Sequence, residues 1–126
     1  MNNLVDSSAW VEYFRGNQKY LFMNELINSN AICTNDVILT ELLPSIIHKK
    51  EHALAELLSS VKNYRLNIDW QEIRNMQLLS LKNGNNNIGI SDLLIAQNCI
   101  QNELRLIAND KHFDAMLKYL NLEVYR

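Results

Sequence analysis

Short runs of consecutive apolar residues alternate along this chain with longer stretches in which apolar residues recur every three or four positions. The runs are Asn2-Asn3-Leu4-Val5, Ala31-Ile32-Cys33-Thr34, Leu104-Arg105-Leu106-Ile107-Ala108 and Leu122-Glu123-Val124-Tyr125. Their length and continuity predict strands buried on both faces. Tyr64-Arg65-Leu66 is a further candidate strand, at an edge. Between the runs, helical spacing predicts a turn over Ser7–Phe14, a helix through Tyr20, Leu21, Met23, Leu26 and Ile27, and one through Val37–Ile47 behind an Asn35-Asp36 cap. Pro44 inside the last of these predicts a kink or a late start. Helices follow through Ala53–Val61, through Ile73–Leu81 behind Asp69, through Leu93–Ile100 with Ser91 as cap, and from Lys111 to Tyr119. Lys82-Asn83-Gly84-Asn85-Asn86-Asn87 is the clearest loop. Strands alternating with helices indicate an α/β fold with a parallel sheet covered on both faces; the pattern leaves the strand order open.

Composition narrows this picture. The 126 residues carry no repeat, linker or low-complexity tract, which predicts a single domain over 1–126. Hydrophobic residues make up 48% and charged residues 21%, the balance of a globular protein rather than a disordered one. Every apolar run is broken well short of the roughly 18–20 residues that a membrane span needs. Met1 leads directly into Asn-Asn without a secretory layout, so a cytoplasmic protein is expected. Cys33 and Cys99 sit far apart in apolar segments and read as buried small hydrophobes. His48 and His52 lie four apart, either a metal pair or a solvated helix end. The formal charge of −2 and a pI of about 5.9 exclude a protein that reads nucleic acid through its own basic field. Action on nucleic acid would need a local reversal of sign, which a bound divalent cation supplies.

Four acids stand against their local pattern. Asp6 and Asp110 end buried strands, and that edge of an open parallel sheet is where ligands bind. Asp92 opens a helix whose other residues are mostly core, and Glu41 interrupts a strongly apolar helix, where a lone acid is costly unless paired. Each also has a plain structural reading: Asp6 and Asp110 as helix caps, Asp92 as a charge favouring a helix N-terminus. Converging carboxylates require a counter-charge. Mg²⁺ or Mn²⁺ accepts such oxygen-only ligation, lowers the pKa of a bound water and braces a phosphodiester for attack. Asp114, four residues beyond Asp110, is a possible fifth acid. Ser7 or Ser8 is a helix cap or a partner for the site, Asn109 shapes a turn, and Lys111 and His112 face either phosphate or solvent. Trp10 and Phe14 read as core or interface rather than base-stacking platforms.

Leu4-Val5-Asp6-Ser7-Ser8-Ala9-Trp10, Thr40-Glu41-Leu42-Leu43, Ser91-Asp92-Leu93-Leu94-Ile95-Ala96 and Asn109-Asp110-Lys111-His112-Phe113-Asp114 occur in that order. Together they resemble the PIN-domain ribonucleases, and among them the VapC toxins of bacterial toxin–antitoxin pairs, over essentially the whole chain. The resemblance implies a three-layer α/β/α sandwich around a mainly parallel sheet of four to five strands. It also implies a Mg²⁺- or Mn²⁺-dependent endoribonuclease leaving 5′-phosphate and 3′-hydroxyl ends. The acids matching Asp6, Glu41, Asp92 and Asp110 would form its catalytic and metal site, supported by the hydroxyl matching Ser8. Its implied partners are an RNA substrate, a second copy of the chain, and a small VapB-type antitoxin. The antitoxin's C-terminal segment would cover the site while its other end carries any DNA contact. One departure is Ala108, where the family often has Thr or Ser two residues before the fourth acid.

Two other functions compete. A catalytically silent PIN-like interaction module would share the fold but not the cation response. A receiver-type phosphoacceptor domain shares the β/α alternation, but needs an early acidic pair, an Asp ending a central strand and a Lys after a late one. Asp6 has no acidic neighbour, and the second and third strands end without Asp.

Overall fold

In the computed structural model, which describes residues 2–125, strand β1 (Asn3–Val5) lies at the centre of a parallel five-stranded sheet. On one side stand β2 (Ile32–Thr34) and the edge strand β3 (Lys62–Asn63); on the other stand β4 (Arg105–Ile107) and the edge strand β5 (Glu123–Val124). The order β3-β2-β1-β4-β5 is fixed by the pairs Leu4↔Cys33, Leu4↔Leu106, Thr34↔Asn63 and Leu106↔Val124. It is not the 2-1-3-4-5 order of receiver domains, so that alternative falls.

Helices α1 (Ser7–Phe14) and α2 (Met23–Asn28) join β1 to β2, and α3 (Asp36–His48) and α4 (His52–Ser60) join β2 to β3. Helices α5 (Trp70–Lys82) and α6 (Ile90–Gln101) carry the chain back past β1 to β4, and α7 (Lys111–Met116) leads to β5. The chain therefore moves outward in one direction first and in the other afterwards. Right-handed crossovers then put α1–α4 on one face and α5–α7 on the opposite face. The packing follows this division, with α3 against α1 and α4 and α6 against α5 and α7, and α3 and α6 also touch each other. This is the expected three-layer sandwich. The reversal falls between β1 and β4, which makes the crevice at their C-terminal ends the favoured ligand position.

Both layers are filled by the residues that set the sequence pattern. Trp10, Met23, Ile38 and Leu58 are fully buried from the first four helices, and Leu93, Ile95 and Met116 from the last three; Leu4, Val5 and Leu106 are fully buried within the sheet. Trp10 stacks on Phe14 at 5.4 Å between ring centroids, so these aromatics belong to the core. Cys33 and Cys99 are buried free thiols, and His48 and His52 are exposed. No helix among the described residues is long and apolar enough to cross a membrane.

Several elements depart from expectation. The helix predicted over Tyr20–Ile27 is split into a 3₁₀ turn, Gln18–Tyr20, and α2, because the Asn17 side chain accepts from the Lys19 amide and starts the turn early. Helix α3 starts at Asp36 and continues through Pro44, with no late start. Pro44 and Thr40 are both exposed, so the Thr40 carbonyl that the proline cannot serve faces water. The edge strand is Lys62–Asn63 rather than Tyr64–Leu66, with Tyr64 donating its amide to the Thr34 carbonyl at 2.8 Å. Gly89, not Ser91, caps α6, and α7 ends at Met116 rather than Tyr119.

Candidate active site

Val5 is the last residue of β1, and Asp6 follows in extended conformation, its amide donating to the Ile107 carbonyl of β4 at 2.9 Å. Asp6 thus closes the β1–β4 ladder and caps α1. Both the Ser8 amide (3.1 Å) and the Ser8 hydroxyl (2.5 Å) donate to its Oδ2. The Ser8 oxygen in turn accepts the Asn109 amide at 2.9 Å, so one serine ties the end of β1 to the loop after β4. Asp110 does not end β4 as expected: the strand stops at Ile107, and Asp110, three residues beyond it, caps α7 by accepting the His112 amide on Oδ1 at 2.9 Å. Asp92 stands in the first turn of α6, and its Oδ2 lies 2.9 Å from His112 Nδ1. The same nitrogen is 3.7 Å from Asp110 Oδ1.

Donor atoms of Asp92, Asp110 and His112 all lie within 4.8 Å of one another. Asp6 is 4% exposed and feels the charges of both Asp92 and Asp110. Glu41 reaches the rim from α3, where its Oε1 accepts from the Ser7 hydroxyl at 3.3 Å. It feels Asp6, Asp92 and Asp110. The expectation that Glu41 sits as a lone acid in apolar packing is corrected. The residue is exposed at the flank of the face formed by buried Ile38, Leu42 and Ile46, and Ser7 is its partner. Asp114 lies exposed in the first turn of α7, outside the group around His112.

Asp6 and Asp110 are helix caps, and that role does not compete with a place at a site. An N-cap uses the carboxylate locally while fixing its place at the sheet edge. His112 is the group that reading the sequence underrated. A capping Asp at position 110 puts residue 112 in the first turn with its amide on that carboxylate, and the imidazole then returns to the acid edge. The Asp-x-His spacing was the available signal.

Charge accumulates here with little to balance it. Burial holds the Asp6 carboxyl above its ordinary value of 3.8, with the Ser8 hydrogen bonds opposing and the Asp92 and Asp110 charges adding. Partial burial, then the Asp6 charge, holds Glu41 above 4.5. The hydrogen bond to Asp92 raises His112 above 6.5 against a smaller opposing effect of burial. An oxygen-rich donor set with mutually repelling carboxylates is the chemistry that a hard divalent cation fits.

A family model described as PIN domain matches residues 4–118. The chain belongs to the PIN-domain family. This PIN domain is 28% identical over 127 aligned residues, 95% of each chain, to ribonuclease VapC11 of Mycobacterium tuberculosis. Its fold is shared with VapBC2 of Rickettsia felis, solved bound to a DNA fragment from its promoter, at a TM-score of 0.75 and 20% identity over 99% of this chain and 98% of that one. DNA-bound VapBC of Salmonella typhimurium gives 0.76 at 14% identity, over 99% and 97%. These structural likenesses are likenesses of fold.

Three raised groups at the site of this PIN domain make the same prediction for stability. A group whose folded pKa lies above its unfolded value binds its proton more tightly in the folded state, so it favours folding less as pH rises through that interval. Asp6 and Glu41 act from just above their ordinary carboxylate values. His112 acts from 6.5 upward, with a contribution damped by solvent because 40% of its side chain is exposed. In EDTA the thermal midpoint is expected to fall between pH 5 and 8. Saturating Mg²⁺ or Mn²⁺ is expected to flatten that slope. A midpoint rising steadily over the same range would contradict the placement of these groups.

Proposed function

We propose that this PIN domain is a Mg²⁺- or Mn²⁺-dependent endoribonuclease and the toxin of a toxin–antitoxin pair. The observation that carries the reading is the meeting of Asp6, Asp92 and Asp110, with Glu41 at the rim, at the β1–β4 reversal of the sheet. Asp6, Asp92 and Asp110 would hold the cation, with Glu41 as a further carboxylate. A cation bound there supplies a water of lowered pKa and neutralises charge gathering on the phosphodiester.

The chain's own residues do the positioning. Ser8 fixes the rotamer of Asp6 and the backbone of Asn109 together, so a carboxylate from β1 and the cap of α7 keep one spacing. His112 orients Asp92 and partly offsets its charge. Glu41, exposed and above its ordinary pKa, is placed to take a proton at the rim.

The partner reading is supported by two surfaces. A groove of about 480 Å³ between α1 and the α3–α4 pair is lined by apolar Val11, Phe14 and Leu54 beside charged Arg15, Lys49 and Glu41. An antitoxin's C-terminal segment laid there would meet Glu41. Trp70, Leu78 and Leu81 on α5, with Ile90, are exposed apolar residues suited to a second copy in a homodimer. The VapBC assemblies solved on DNA support a VapB-type partner through which any DNA contact is made.

The deciding experiment incubates total cellular RNA with the protein in Mg²⁺ or Mn²⁺, beside EDTA and an Asp92→Asn control. Discrete fragments are expected only with cation and the unaltered protein. Undiminished cutting in EDTA would refute the metal requirement. Absence both of cutting and of any cation-dependent rise in thermal midpoint would leave the silent-module alternative standing.

A further inference from the structure

Asn109, whose amide is held by Ser8 beside Asp6 and whose chain neighbour is Asp110, also lines a second groove, of about 760 Å³. Its other walls come from Glu12 on α1, from Asn17, Lys19 and Tyr20 of the 3₁₀ turn, and from Phe22 and Tyr125. Ile107 and Ala108, at the end of β4, complete the lining.

The lining is a particular mixture. Phe22 and Tyr125 stack on each other at 4.8 Å and 6°, whereas Tyr20 meets Phe22 at 33° and 6.0 Å, so Tyr20 is not in a parallel stack with its neighbour. Glu12 is held in place: Arg15 lies 3.4 Å from its Oε1, and Asn17 donates to its Oε2 at 3.0 Å. Burial and then the Glu12 charge push the Tyr20 phenol above its ordinary value. Lys19 lines the groove and is exposed. A flat aromatic face, an oriented acceptor, an amide and one cation together suit a planar heterocycle carrying N–H groups with a phosphate attached. They suit an apolar peptide side chain poorly.

We propose that this groove binds one unstacked nucleobase of a single-stranded RNA, immediately beside the phosphodiester presented to Asp6, Asp92 and Asp110. The assignment rests on the ribonuclease reading. Tyr20 stacks on the base, Glu12 accepts from its edge, and Lys19 contacts the adjoining phosphate. A carboxylate only accepts, so the site favours guanine, with adjacent N–H donors, over uracil, whose single N–H lies between two carbonyls. Specificity of this kind reads single strands, because only an unpaired base exposes both its face and its edge.

The test uses 5′-labelled single-stranded hexaribonucleotides that differ at one position, bound to Asp92→Asn protein so that binding is followed without cutting. Tyr20→Ala added to that protein is expected to weaken binding by roughly tenfold or more, the loss typical of removing a stacking aromatic. Glu12→Gln is expected to leave overall binding within about threefold while levelling the guanine-over-uracil preference. In otherwise unaltered protein, end-sequencing of cut random RNA is expected to show a base bias at one position beside the cut, which Tyr20→Ala and Glu12→Gln each erase. Binding and cut-site bias unchanged in both variants would overturn the assignment while the nuclease reading stands. So would variants that lose only inhibition by a co-expressed antitoxin, since the groove would then seat protein. If the unaltered protein cuts nothing, the nuclease reading fails, and the hexanucleotide titration still decides whether the groove takes a base. Failure of the Asp92→Asn protein to bind any hexanucleotide overturns it.

Discussion

Asp110→Asn protein is expected to fold normally and to cut RNA roughly a thousandfold more slowly, or not measurably, since the change removes one charge from a cation site. The substitution is chosen for what it keeps. Asparagine caps helices about as well as aspartate, so the His112 amide retains its acceptor and α7 its start. Only the charge and one oxygen are lost. Asp6→Asn follows the same logic with a second readout. The Ser8 amide and hydroxyl still find a side-chain oxygen, while a 4%-exposed carboxylate that burial and two neighbouring acids disfavour becomes neutral. Its metal-free form is therefore expected to be more stable than the parent above pH 7, by about 1 kcal/mol, and equally inactive. Cutting assays and thermal melts in EDTA check both halves. Retained cutting in Asp110→Asn, or a destabilised Asp6→Asn, would remove these residues from the roles given them.

Asn98→Leu is expected to cost about 3 kcal/mol of folding stability, a large share of what a domain of this size has to lose. Asn98 is 1% exposed on α6 and binds two partners from other elements. Its Oδ1 accepts from Asn35 Nδ2 at 3.0 Å, and its Nδ2 donates to the Tyr64 carbonyl at 3.3 Å. Asn35 is itself fully buried and caps α3 through the Ile38 amide. Leucine nearly matches the volume but strands an amide and a carbonyl without water, which is the expensive half of losing a hydrogen bond. Asn35→Ser keeps an α3 cap and removes the amide, so Asn35→Ser with Asn98→Leu together is expected to lose less than the two changes summed. Urea titrations of the four proteins measure this directly. A single-variant loss below about 1 kcal/mol would mean that the pair contributes little. Because α3 carries Glu41 and α6 carries Asp92, the same bridge sets the spacing of two of the four acids.

Much of this was legible in the residues, for identifiable reasons. Strands buried on both faces must be continuously apolar, so Leu4-Val5, Ile32-Cys33 and Leu106-Ile107 announced themselves. The edge strand Lys62–Asn63 is held by backbone pairing to β2 and has both side chains in solvent, so no hydrophobic pattern marks it. The strand order depends on the long return through α5 and α6, which no local pattern encodes. At the site, Asp6 and Asp110 stood out because each follows a buried strand and Asp92 because it opens a helix of core residues, whereas Glu41 was singled out for the wrong reason. It looked buried because α3 is apolar on most sides, whereas α3 turns it outward. His112 was missed as a partner because its role comes from folding α7 back toward α6. The Asp110-x-His112 spacing marks the start of α7 but does not encode the contact with Asp92.

Placing acids at helix starts has a consequence for how such a gene can decay. Two of the carboxylates are held by capping bonds that asparagine also makes, so on the proposed ribonuclease reading a single-base change of Asp to Asn is expected to silence the protein without unfolding it. On the toxin reading, a cell that acquires such an allele keeps an intact decoy, still able to occupy the antitoxin made to restrain the active form. Harmless copies of this kind would persist in populations as folded proteins, with their lesions concentrated at Asp6 and Asp110 rather than spread through the core.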